Sequence, residues 1–328
     1  MPRIHPALAL GTLCLCTQAF AEPPVGWKLQ RGDTLHYRLE NTFKIWPAQR
    51  PDGKDSGGAD VDRTGTASGR YEQSLWMKIE VGEVTGDGDA PLTITFPRIT
   101  AHVRMDDTGE ESDWDSQSGK SPEQYGFGPY EALQKTTFKA VVRVNGEVAS
   151  LEGSRDYLVA KRTKVRKATG ELTRPEKASE LAPMPMPVEF WLAQIFSPIP
   201  PDGRSGKFDR RIAELWEISR VYSGEFDSMR VLDGVRCALH RLECADSRIE
   251  LAREGKSPED MVTPDQRAGD NVKTVLASSK RRISAWFAME AGIMLRVEGE
   301  ARDDRFQSGS VARSQDWTVV LEKRVPAK

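Results

Sequence analysis

Alternation of apolar and polar side chains is the feature that most limits what this chain can become. In Gln73–Val81, Leu75, Met77, Ile79 and Val81 fall on one face of an extended strand, while Ser74, Lys78 and Glu80 fall on the other. A strand with a single apolar face must cover that face, so a chain rich in such strands builds antiparallel sheets with one side packed and one side wet. The pattern recurs. After a Thr-Gly-Asp-Gly-Asp turn, Leu92, Ile94 and Phe96 alternate, and Ile99, Ala101, Val103 and Met105 resume on the opposite parity beyond Pro97. That parity change predicts a bulge or bend at Phe96–Pro97.

Turn chemistry gives the connections. Asn145-Gly146 fits a two-residue type I′ turn, which would pair Val144 with Glu147, Val142 with Ala149 and Ala140 with Leu151. Asp233-Gly234 offers a second hairpin and Ala291-Gly292 a third, and Asp316–Val325 reads as a closing strand. The two halves also rhyme, because the turn glycines Gly146 and Gly292 are each followed at the same distance by Glu-Gly, as Glu152-Gly153 and Glu298-Gly299. An internal duplication would explain this.

Between the halves the texture changes. Residues 155–182 are charged and rich in helix formers, Pro183–Pro187 breaks the chain, and Val188, Trp191, Leu192, Ile195 and Phe196 then form a complete apolar stripe for a short helix. The expected fold is therefore mainly β with some helix (α+β). It comprises two related curved antiparallel sheets or half-barrels, with a few helices packed between and against them. The expected divisions are a signal peptide at 1–21, an N-terminal β half at 22–154, a helical and Pro-rich connector at 155–201, and a C-terminal β half at 202–328.

The expected signal peptide rests on Arg3, the apolar run Ala7–Cys16 and the small residues of Ala19-Phe20-Ala21. It predicts an exported protein, periplasmic or secreted. The near-balance of 47 basic and 49 acidic residues argues against non-specific nucleic-acid binding. No segment after residue 21 is long and apolar enough to span a membrane as a helix. In an oxidising compartment Cys237 and Cys244 invite a disulfide. The bridge needs a tight turn near Leu239–Arg241, because one continuous strand would hold the α-carbons about 23 Å apart on opposite faces.

Catalytic signatures are missing from the sequence. His36, His102 and His240 each sit inside an apparent strand, away from metal-binding spacing, and no nucleophile elbow, phosphate loop or dinucleotide fingerprint occurs. The acidic run Asp106–Gly119 departs from a calcium loop and reads as a solvated loop, Lys161–Lys167 as a solvated basic helix face, and Arg31-Gly32-Asp33 as a turn. The polar stretches 48–69 and 254–271 read as mobile excursions. The leading expectation is a non-enzymatic binding module without a cofactor. It would hold a hydrophobic or amphipathic ligand, or a partner protein of the cell envelope, with Trp76, Trp191 and Phe196 as first candidates for the lining. The alternatives are an exported hydrolase whose site is assembled from distant residues around one of the histidines, and a purely structural or interaction protein.

The order of these segments, from Gly26–Glu40 through Gln73–Val84, Phe138–Gly153, Phe190–Phe196 and Asp233–Glu243 to Ala285–Ala301, resembles an uncharacterised family of exported bacterial proteins known only as a domain of unknown function. The chain keeps Ala288 and Met289 where such proteins often carry Phe-Asp. The resemblance implies no activity and no site residues. Strand content and export, by analogy alone, suggest a shape similar to the curved half-barrels of periplasmic lipoprotein carriers.

Overall fold

The computed structural model describes residues 26–47, 69–106, 109–120, 127–154, 185–200, 207–215, 218–244, 249–251, 279–306 and 311–327. The expected signal peptide, the charged part of the connector and most of the two polar stretches lie outside the described residues.

The first half supplies β1 (Thr34–Pro47), β2 (Gly69–Val81), β3 (Ala90–Met105), β4 (Glu111–Asp115), helix α1 (Gly128–Gln134), β5 (Phe138–Val142) and β6 (Val148–Glu152). Helix α2 (Val188–Ile195) follows. The second half supplies β7 (Lys207–Leu215), β8 (Ile218–Leu232), β9 (Val235–Cys244), β10 (Ile249–Leu251), β11 (Ser279–Ala288), β12 (Ile293–Phe306) and β13 (Val311–Val325). All described strand pairs are antiparallel.

Mainly β is what the alternation required, but two separate sheets are not what forms. One 13-stranded sheet runs in the order β10-β8-β9-β11-β12-β13-β1-β2-β3-β5-β6, with β4 added to β3 and β7 to β8. The closing strand is the reason. β13 pairs with β12 on one edge and with the full length of β1 on the other, so it welds the halves into one hydrogen-bonded surface.

That surface is curled. Five strand spacings separate β12 from β5, about 24 Å if the sheet were flat. Yet the adjacent residues Trp27 and Lys28 reach the turns at the ends of both strands: Trp27 N–H donates to the Val144 carbonyl at 3.2 Å and Lys28 N–H to the Gly292 carbonyl at 3.0 Å. The sheet must therefore bend into a trough with residues 26–29 tied across one end. Inside the trough lies a single core, to which Leu35, Leu75, Ile94, Phe138, Phe287 and Val319 all contribute. The outer face carries ion pairs, among them Arg70–Glu72 and Arg296–Glu298.

Local details refine the sequence reading. Met77 faces the Phe96–Pro97 step where the β2–β3 register shifts, which places the bulge where the parity changed. Asp233 (φ 50°) and Gly234 (φ 81°) make the two-residue turn that links Leu232 to Val235. At Asn145-Gly146 the turn differs. Gly146 alone of the two has positive φ (92°), Gly146 N–H donates to Arg143 O at 2.8 Å and Arg143 N–H to Glu147 O at 2.9 Å, so the loop has three residues and ends in a glycine bulge. Ala140 pairs with Leu151 as expected, but Val142 pairs with Val148 instead of Ala149. The acidic run is partly strand. β4 pairs with β3 and its acids are matched by β3 bases, with Arg98–Asp115 at 2.7 Å and Arg104–Glu111 at 3.5 Å.

The rhyme between halves holds only at the turns. Gly146 and Gly292 both have positive φ and both lie against residues 26–28. Gly153 (φ 96°) follows β6 at its end, whereas Gly299 sits within β12 beneath the Trp317 ring.

Candidate ligand-binding site

The inner face is lined from the strands upward. Gln73 on β2 pairs across the ladder with Asn41 on β1, Asn41 with Trp317 on β13, and Trp317 with Gly299 on β12. Each of these side chains points inward because it shares the parity of the buried Leu75, Leu39 and Val319. A side chain at Gly299 would collide with the Trp317 indole, so the missing Cβ lets the ring lie across β12.

Helix α2 packs at the β12–β13 end of this row. Pro187 stands at its N-cap and Pro198 follows its end, and between them the apolar stripe buries Val188, Phe190, Trp191, Leu192 and Ile195. Phe190 meets the Trp317 ring edge-on at 5.4 Å between centroids. Gln194 lies one turn further along the same helical face and is fully buried. At the C-terminal end the buried Arg210 of β7 donates to the carbonyls of Ala193 and Gln194. A cation on the last carbonyls of a helix satisfies orphan acceptors and complements the dipole. Burial pulls the guanidinium below the usual arginine range, with the Tyr222 hydroxyl opposing.

On these strands and on α2 several buried polar atoms have no hydrogen-bond partner among the described residues. They are both amide atoms of Gln73, both of Gln194, Asn41 Nδ2, and the indole N–H groups of Trp191 and Trp317. Asn41 Oδ1 is occupied, accepting from Gln315 Nε2 at 3.1 Å. A neutral buried polar group left without a partner costs about 1–3 kcal/mol. The group as a whole can donate and accept several hydrogen bonds and carries no charge.

Two of the three lining candidates lie on helix α2 or at its end. Trp191 and Phe196 are buried in the core, Phe196 against Trp27 at 4.8 Å. Trp76 lies on the outer face, between the inward Leu75 and Met77, with the Arg98 guanidinium 4.7 Å from its ring centre. Gln73, Asn41 and Trp317 were not singled out by the sequence reading. The signal was present in a polar residue at an inward position of a well-alternating strand.

Cys237 and Cys244 are buried and form no disulfide. β9 runs unbroken through the expected turn at Leu239–Arg241, which keeps them on opposite faces and apart. The histidines stand on three different strands. His36 is flanked by Lys78 and Lys323 across the ladder, and His240 is buried between the rings of Phe208 and Phe226. His102 Nδ1 is 3.8 Å from Asp113 Oδ1, longer than a hydrogen bond, in a groove of about 350 Å³ that Glu72, Gln73, Ser74 and Lys120 also line. A second groove of about 310 Å³ is lined by Glu40, Glu298 and Asp316 and also by Asn41, Gly299 and Trp317. Its acids are paired with Arg38, Arg296 and Arg302. Arg31-Gly32-Asp33 is a turn, with Asp33 N–H donating to Gln30 O at 3.0 Å. No helix among the described residues is long and apolar enough to cross a membrane.

No family model matches the chain, and no curated protein matches it. Solved structures similar to it include lipovitellin, titled for its lipid–protein interactions, at 9% identity and a TM-score of 0.45, covering 92% of this chain and 26% of that one. The chain thus spans about a quarter of the length of lipovitellin. Rv2717c from M. tuberculosis is similar at 8% identity and a TM-score of 0.24, covering 88% of this chain and 92% of its own. A DUF1329 family protein from Desulfovibrio piger is similar at 8% identity and a TM-score of 0.15, covering 88% and 86%. One of these neighbours therefore belongs to a domain-of-unknown-function family, while superpositions below 0.5 assign this chain neither membership nor activity.

Proposed function

We propose that this chain is an exported, non-enzymatic binding module that holds an amphipathic ligand between the inner face of its sheet and helix α2. The observation that carries the reading is the set of buried polar atoms without partners: Gln73, Asn41 and Trp317 on the sheet, and Trp191 and Gln194 on the helix. Ligand pockets are mostly apolar with a few convergent polar groups that orient the ligand, and unpartnered amides and indoles among buried apolar side chains are the raw material for one. The orphan groups are amides and indoles, so the complementary ligand end is an uncharged acceptor such as an ester or hydroxyl. Its apolar remainder would meet Phe190, Phe196 and the aliphatic strand residues. Trp76 takes no part, because it faces outward.

Native mass spectrometry of the purified chain, followed by organic extraction, tests this. A retained small molecule is expected. Titration of the stripped chain with a monoacylglycerol should change its tryptophan emission, and Asn41→Leu with Gln73→Leu should weaken that response about tenfold or more. Recovery of bare protein with emission indifferent to the monoacylglycerol would leave an interaction protein in place of a ligand carrier.

A further inference from the structure

We infer that the tip of the β8–β9 hairpin is a docking element for the surface of an anionic lipid bilayer. Large hydrophobic side chains are exposed at three described positions, Val144, Val231 and Val235, and two of the three flank this one turn, at 73% and 39% exposure. The tip is a type I′ turn at Asp233-Gly234, with Leu232 paired to Val235 and Val231 to Arg236. By strand parity Val231 points to one side of the ribbon and Val235 to the other, so the tip presents apolar surface on both faces. Exposed basic side chains stand immediately behind, Arg230 beside Val231 and Arg236 beside Val235, with Asp233 the one acid of the tip. The nearest ion pair toward the body of the sheet, Arg241–Asp227 at 3.1 Å, leaves both of these arginines out.

This arrangement suits a bilayer better than a protein. A stable protein interface needs about 800 Å² per partner, far more than two valines provide. An interfacial membrane contact needs little apolar area and gains from cations against anionic headgroups. The hairpin is paired to its tip, so it can enter the interface without carrying many unpaired backbone groups into an apolar medium. Such a contact is weak and reversible. The inference does not rest on the ligand reading, since vesicle binding is measured with no such ligand added.

The test is sedimentation of the whole chain with vesicles of phosphatidylcholine alone or mixed 7:3 with phosphatidylglycerol. Binding is expected to the mixed vesicles, and it should fall as salt is raised. The double variants Val231→Ser/Val235→Ser and Arg230→Gln/Arg236→Gln should each bind about tenfold more weakly. Their thermal midpoints should match that of the parent, because all four side chains are exposed. A separate Val231→Trp variant reports location, its emission shifting to the blue on adding mixed vesicles. Failure of the parent chain to bind the mixed vesicles, undiminished binding by either double variant, or unshifted emission from Val231→Trp would each overturn the assignment.

Discussion

Trp27 donates its indole N–H to the main-chain carbonyl of Ser197 at 3.2 Å, and both groups lie directly against Gly146. Three distant segments thus meet at one point: the strap before β1, the end of α2, and the β5–β6 turn. The strap holds the curl of the sheet, and the end of α2 is tied to the strap. A ligand entering between sheet and α2 would work against this junction.

Gly146→Ala should therefore be far more damaging than Gly234→Ala, although both glycines occupy hairpin turns with φ near +90° (92° and 81°). At Gly234 nothing lies within 4 Å of an added Cβ, so the expected cost is the backbone strain of about 1–2 kcal/mol. At Gly146 the Cβ would also collide with the Trp27 ring and the Ser197 carbonyl. Overpacking adds about 1–3 kcal/mol. Chemical denaturation of the two variants side by side reads the difference, and equal losses would refute the junction.

Arg210→Met should loosen α2. It removes the donors from the part-buried Ala193 carbonyl and the buried Gln194 carbonyl, and relieves the desolvation of the guanidinium. Hydrogen bonds from charged donors contribute about 1.5–3 kcal/mol each, so the loss outweighs the relief and a net cost of about 1–3 kcal/mol is expected. Dye binding to exposed apolar surface should rise in the variant. A midpoint and dye signal equal to those of the parent would show that α2 is seated by its apolar stripe alone.

Much of this was legible because it is local. Alternation at Leu75–Val81, the parity change at Phe96–Pro97, the Asp233-Gly234 turn and the stripe around Trp191 each depend on neighbours within a few residues. The single sheet did not announce itself, because the β1–β13 pairing joins Thr34 to Val325 across nearly the whole chain and no short pattern encodes it. β4 was masked by its own acids, which look solvated until Arg98 and Arg104 of β3 are placed opposite them. Trp76 suits a ligand lining by residue type, yet the same alternation that defines β2 turns it outward. The polar residues Gln73 and Asn41 were hidden in a different way, since only the register shows that they are neighbours.

The two thiols should be inert in the folded protein. Cys237 and Cys244 are unbridged and buried, and burial above all pushes the Cys237 thiol above its ordinary range, the Leu232 backbone opposing. A raised thiol favours the folded state below the thiol's unfolded pKa of about 8.5 and loses that contribution as pH climbs through the folded value. In a chain beginning at Glu22, a disulfide-exchange reagent should titrate both cysteines only after denaturation, and reductant should leave the melting temperature unchanged. A reductant-sensitive melt would mean that the two are bridged and that β9 is not continuous.

Asp33 and Arg324 supply the sharpest electrostatic test. Asp33 is fully buried, its Oδ2 accepts from Arg324 Nη2 at 2.7 Å and from Gln30 N–H at 3.0 Å, and its Oδ1 has no partner among the described residues. Arg324 reaches further, donating to the carbonyls of Lys28 at 2.7 Å and Ala291 at 3.1 Å. One guanidinium thus joins the closing strand, the strap and the β11–β12 turn. Removing it leaves a buried carboxylate without its cation, so Arg324→Met should cost about 3–5 kcal/mol, the range for breaking a buried pair from one side. Asp33→Asn keeps the shape and removes the charge, and should cost less. In a double-mutant cycle measured by chemical denaturation, the Arg324→Met/Asp33→Asn chain should recover part of the loss, because the orphaned charge has gone with its partner. Strictly additive losses would mean that Arg324 acts through the Lys28 and Ala291 carbonyls, and that its pairing with Asp33 contributes no more than an exposed ion pair would.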